Sequence, residues 1–101
     1  MLGRLDEAVD RLRAGRGLER AFGADALAAR SGYWLARALL ARGGPGDAAA
    51  VEQLVTATLR ATDRLGMSLL GRALRRLPAP AEEASPPQAP QAPAEAARRP
   101  A

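Results

Sequence analysis

Apolar residues recur along this chain at helical spacing in four stretches, and glycine and proline divide one stretch from the next. The first runs from about Leu5 to Phe22 and stops at Gly23. A second begins after Asp25, read as its N-cap, and ends at Arg42 before Gly43-Gly44-Pro45-Gly46. The third opens at Asp47, also read as a cap, and closes at Leu65, with Gly66 placed for a left-handed C-terminal cap. The fourth, from about Ser68 to Leu77, is stopped by Pro78. The pattern predicts an all-α fold over residues 1–77.

The four stretches differ in kind. On the third, Val51, Leu54, Val55, Thr58, Leu59, Ala61, Thr62 and Leu65 share one side at 100° per residue, and Glu52, Gln53, Thr56, Arg60, Asp63 and Arg64 share the other. That is an amphipathic surface helix. The second is apolar nearly all round: Leu27, Ser31, Trp34, Leu35, Ala38 and Leu39 make one face, and Ala26, Ala29, Tyr33, Ala36 and Leu40 cover most of the rest. Arg30 and Arg37 leave only a narrow polar stripe. Such a helix needs neighbours on more than one side, as in a layered stack. The first stretch carries Leu5, Ala8, Val9 and Leu12, then weakens at Gly15-Arg16-Gly17, where each glycine costs about 1 kcal/mol against alanine. A frayed or kinked second half is expected there, with Arg16 projecting to the apolar side.

Beyond residue 77 the texture changes. Seven of the eight prolines lie between residues 78 and 100, mixed with Ala, Gln and Glu. With no periodic apolar face and few backbone donors, residues 78–101 read as a disordered Pro/Ala-rich tail of polyproline II character. Pro87-Gln88-Ala89-Pro90 fits a P-x-x-P pattern, although a solvated tail is the simpler reading.

An internal repeat is also visible. A shift of 43 residues puts Leu12 on Val55, Phe22 on Leu65 and Gly23 on Gly66, so a helix ending in apolar-Gly occurs twice, each time before another helix. At these residues the chain resembles the tetratricopeptide-like C-terminal arrays of large actinobacterial signalling proteins. Leu2-Gly3-Arg4-Leu5-Asp6-Glu7-Ala8 through Phe22-Gly23-Ala24 is similar to the second helix of one repeat. Leu27-Ala28-Ala29-Arg30, Tyr33-Trp34-Leu35-Ala36-Arg37 and Leu39-Leu40-Ala41-Arg42-Gly43 resemble the first helix of the next. Pro45-Gly46-Asp47, Leu54, Leu59, Ala61 and Leu65-Gly66-Met67 resemble the helix that completes it. Val51 and Thr58 depart from the small alanines usual in that pattern, and Arg16 from an apolar residue.

The resemblance implies antiparallel helical hairpins stacked as a protein-binding scaffold in a signalling or transcriptional regulator. The parent proteins carry an ATPase core before the array, often with a nucleotidyl cyclase, kinase or LuxR-like DNA-binding domain. The chain then reads as a fragment of such an array, opening on a second helix without its partner. No chemistry of the family can be carried over. Gly43-Gly44-Pro45-Gly46 lacks the lysine of a phosphate loop, a cyclase's paired aspartates and lysine are missing, and no helix-turn-helix follows Met67.

Composition narrows the chemistry further. In 101 residues there is neither cysteine nor histidine, so thiolate or imidazole metal sites and a Ser–His relay cannot be built. All fifteen basic residues are arginine and alanine is the commonest residue, a bias of GC-rich genomes that weakens the net charge of +4 as a sign of nucleic-acid binding. Acidic residues are interspersed up to Asp63, and only Arg72, Arg75, Arg76, Arg98 and Arg99 form same-sign clusters. A basic nucleic-acid-binding helical module built on Arg72, Arg75 and Arg76 is the alternative function, and a truncated product without independent function a third reading. No apolar run approaches the ~20 residues of a membrane span and no signal peptide is legible, so a cytoplasmic protein without membrane attachment is expected.

The candidate site is a contact surface. Array first helices face the ligand, and here that helix offers Arg30 and Arg37 beside Tyr33, a guanidinium pair and a ring suited to a carboxylate-bearing peptide. Solvated arginines beside a packed tyrosine are the simpler reading of the same residues. Trp34, on a face with Leu27 and Leu35, is expected in the core. Asp6, Glu7 and Asp10 are read as first-turn acids that favour the helix dipole. No enzyme activity, cofactor or metal is expected. The partner is a protein or peptide, or the upstream repeats of the parent protein, with self-association through the uncovered apolar face of the first helix as a further option.

Overall fold

The computed structural model describes residues 2–80, and the expectations for residues 81–101, including the P-x-x-P pattern and the Arg98-Arg99 pair, lie outside them. The described residues form four helices and no strand: α1 Leu2–Ala21, α2 Asp25–Arg42, α3 Asp47–Leu65 and α4 Ser68–Arg75. The all-α class and the four stretches agree with the sequence pattern. α1 starts earlier than predicted and runs unbroken through Gly15-Arg16-Gly17, so the expected fraying is not seen. Nothing lies within 4 Å of where a Cβ on Gly15 or Gly17 would stand. Each Gly→Ala change there should therefore raise stability by up to about 1 kcal/mol through helix propensity alone, read as a higher urea midpoint.

α2 is the central helix, and both α1 and α3 pack along it. This is the two-sided cover that its apolar circumference requires. The core is Val9 of α1, Leu35, Ala36 and Leu39 of α2, and Val51 and Leu54 of α3, with Leu12, Leu40, Val55 and Leu77 packed against it. On α3 the buried residues Val51, Leu54, Thr58 and Thr62 all lie on its predicted apolar side, while Leu65 of that side is exposed and Asp47 is buried as well. On α2 the buried strip is Ala28, Ala29, Gly32, Leu35, Ala36 and Leu39. Most of these are small, which lets two neighbouring helices approach one helix closely.

Thr58 stands at such an approach. A Cβ on Gly32 would fall 2.6 Å from its Oγ1, and Gly71 of α4 faces Thr62, one turn further along α3, in a similar way at 3.3 Å. Each hydroxyl is satisfied within its own helix, Thr58 donating to the Leu54 carbonyl and Thr62 to that of Leu59. A glycine opposite each of these two threonines thus permits close helix contact there.

The turns after α1 and α3 have the same build. Gly23 and Gly66 take φ of 76° and 72°, which an L side chain rarely adopts. Ala24 and Met67 follow at φ/ψ of −83°/68° and −91°/68°. Gly23 N–H donates to Arg20 O and Ala24 N–H to Glu19 O, and the same bonds recur from Gly66 to Asp63 and from Met67 to Thr62. Two helix ends 43 residues apart thus share one turn geometry.

Neither aspartate caps its helix. Asp25 and Asp47 are the first residues of α2 and α3, and the N-cap positions, Ala24 and Gly46, make no side-chain cap bond. Asp47 instead turns back onto the preceding loop. It is 4% exposed and accepts from Arg42 Nε and Nη2, both at 2.8 Å, and from Gly44 N–H at 2.9 Å. Arg42 also donates to Asp6 at 3.1 Å, tying α1 to the end of α2. Because α1 starts at Leu2, its first turn holds no acid, and Asp6 serves in this tertiary pair rather than at a helix N-terminus.

Candidate functional site

With α1 and α3 packed on the small-residue strip, α2 keeps one side open to solvent, carrying Ala26, Leu27, Arg30, Trp34, Arg37 and Ala41. At 100° per residue these positions lie opposite Gly32 and Leu39. The predicted stripe of Arg30 and Arg37 is on this side, two turns and roughly 10 Å apart along the axis. Tyr33 is half-buried at its edge.

Trp34 departs from expectation. It is 50% exposed, and Leu27 is 53% exposed, so the bulkiest residues of the predicted core face lie outside the core. The reason is steric: a tryptophan cannot enter the close approach that Ala28, Ala29, Gly32 and Ala36 permit. The run of small residues was the available signal for which side would be buried.

The rings and the guanidinium form one unit. Tyr33 and Trp34 meet edge-to-face, with centroids 5.2 Å apart and planes at 76°. The Arg37 guanidinium carbon lies 5.0 Å from the Trp34 ring centroid and 5.8 Å from that of Tyr33. The rings hold the arginine's position, while no acid pairs with Arg37 or Arg30 among the described residues. Arg30 sits apart from the stack, against the turn into α4, in a groove with Met67, Leu69, Leu70 and Ala73. Leu69 in that groove is 79% exposed. The structure thus brings Tyr33 and Arg37 together, adds Trp34, and leaves Arg30 as a second cation on the same helix side.

Such a surface can orient a carboxylate on an arginine with free N–H donors while the partner's apolar atoms lie on the indole. Among the described residues, no three acidic side chains gather in a cluster able to hold a metal ion, and no helix is long and apolar enough to cross a membrane. Arg75 of the basic C-terminal cluster lies 3.7 Å from Asp63, both exposed. Comparison of the chain with protein-family models, curated proteins and solved structures returns no match.

Proposed function

We propose that this chain is a protein-interaction scaffold, a pair of stacked tetratricopeptide-like hairpins from a bacterial signalling or transcriptional regulator, and has no enzymatic role. The 43-residue recurrence of the Gly23-Ala24 turn at Gly66-Met67 supports the repeat reading. The observation that carries the binding reading is Arg37 lying over the exposed Trp34 ring on the uncovered side of α2. Arg30, Tyr33, Trp34 and Arg37 are its contact residues, and a peptide segment bearing carboxylates is its ligand class.

Trp34 is the sole tryptophan, so its emission reports on this surface directly. Titration with a short Glu-containing peptide should shift or quench that emission saturably, and the Gln counterpart should do so about tenfold more weakly. Arg30→Ala with Arg37→Ala should abolish the response while leaving the circular-dichroism melt in place. A double variant that binds the peptide as tightly as the parent chain would remove this side of α2 as the contact surface.

A further inference from the structure

A second surface lies on the other side of α2. α1 and α3 both lean on α2, yet no Cα of one comes within 8 Å of the other, which leaves a groove between them. One wall is α1, with Arg13, Arg16 and Arg20 at i, i+3 and i+7. The other wall is α3, with Ala50, Gln53, Ala57 and Ala61, and Ala28, Leu35 and Leu39 of α2 lie beneath.

The two walls ask for different things. The α3 wall is short at Ala50, Ala57 and Ala61, with Gln53 and Arg64 its long side chains, so another helix can come close to its backbone at the alanines. On the α1 wall the three arginines make no salt bridge or side-chain hydrogen bond among the described residues. Three other arginines, Arg42, Arg64 and Arg75, do have acidic partners. Arg16 is half-buried, and burial followed by the like charge of Arg20 holds its guanidinium below the ordinary arginine range. Two acids near the ends of this row have other partners: Asp25 lies 3.8 Å from Arg64, and Asp47, whose carboxyl also feels the charge of Arg13, is bound by Arg42. A row of cations without ion-pair partners, facing a wall rich in alanine, is complementary to a helix with acids along one edge.

We propose that the α1–α3 groove docks an acidic amphipathic helix of a protein partner, with carboxylates at matching i, i+3 or i+4, and i+7 positions on Arg13, Arg16 and Arg20 and an apolar side on Ala50, Ala57 and Ala61. This site is separate from the α2 surface and does not depend on it. Phosphate would meet the same cations, but none of the groove's lining residues is aromatic, so it has no platform for bases, whereas its small-residue wall fits a helix.

The test uses the whole chain and a fluorescein-labelled, stapled helical peptide about four turns long, with Glu at i, i+3 and i+7 and Leu and Ala on the adjoining side. A Gln-for-Glu counterpart and a single-stranded oligonucleotide complete the set, all read by anisotropy. The Glu peptide should bind, and the Gln counterpart about tenfold more weakly. Arg13→Gln with Arg16→Gln and Arg20→Gln should weaken the Glu peptide by about tenfold or more, a larger loss than Arg30→Ala with Arg37→Ala produces. Ala57→Glu, an exposed position on the other wall, should block the same peptide by supplying an acid in place and guards against misfolding of the triple variant. Equal binding by the parent and Ala57→Glu chains would overturn the proposal. So would an oligonucleotide that binds more tightly than the Glu peptide, which would make the groove a polyanion site.

Discussion

Asp47→Ala should cost about 2–3 kcal/mol and lower the thermal midpoint by roughly 10–20 °C. Asp47 is 4% exposed and holds three hydrogen bonds, two from Arg42 and one from the Gly44 backbone. Truncation leaves the Gly44 N–H without its acceptor and frees the guanidinium that also reaches Asp6 on α1. The loop from Gly43 to Gly46 and the docking of α1 should loosen together. A control separates the two: Asp6→Ala removes only the exposed arm of the network and should change the midpoint little, since exposed pairs contribute about 0–1 kcal/mol. An Asp47→Ala chain that melts with the parent would show that the clamp contributes nothing.

The same carboxylate predicts an acid sensitivity. The hydrogen bond from Arg42 lowers the Asp47 carboxyl to about 2 against the opposing effect of burial, and the Gly44 N–H adds to the lowering. A folded-state value below the unfolded one of 3.8 means that the ionised group stabilises the fold fully above about pH 4. That contribution is lost as the pH falls towards about 2. Urea midpoints measured at neutral pH and near pH 2 should converge for the parent and Asp47→Asn chains, the parent losing more. Parallel losses would assign the acid response to other groups.

How far the sequence foretold these features follows from what periodicity can encode. Helix boundaries at Asp47, Leu65 and Arg42 were legible because glycine and proline mark them, and the buried side of α3 because its polar and apolar residues separate cleanly. On α2, apolar nearly throughout, periodicity could not say which side would be buried. The outcome was decided by size, with Gly32 and the alanines inward and Trp34 and Leu27 outward. The narrow polar stripe of Arg30 and Arg37, with Tyr33 beside it, was legible on that helix, but the exposure of the neighbouring indole was not. The Asp6–Arg42 pair joins residues 36 apart, and no local rule anticipates it. Asp47 has the residue type and place of a cap, yet with Arg42 and Gly44 within reach its carboxylate faces backward. The Arg16 position on the apolar side of α1 was legible, while its role as a wall appears only once α3 stands opposite.

Gly32→Ala should destabilise the chain, and Thr58→Ala should reverse the sign of that effect. The added Cβ would lie 2.6 Å from Thr58 Oγ1, closer than such atoms stand, and 3.2 Å from its Cγ2, a tight contact that needs Thr58 to give way. Thr58 has little room to yield, being 2% exposed and bonded through its hydroxyl to the Leu54 carbonyl at 2.7 Å. Either α3 moves away from α2 or the hydroxyl gives up its bond, an overpacking cost of about 1–3 kcal/mol. Against it stands the helix-propensity gain of about 1 kcal/mol from glycine to alanine. In the parent the clash dominates and the net change is a loss. With alanine at position 58 both clashing atoms are gone, only the propensity gain remains, and Gly32→Ala becomes stabilising. Urea midpoints of the four chains close this double-mutant cycle, and the coupling between the two sites should exceed about 1 kcal/mol. Additive effects would mean that α2 and α3 are not held at the separation this glycine permits, and the packing of α3 on α2 would then have to rest on the apolar core alone.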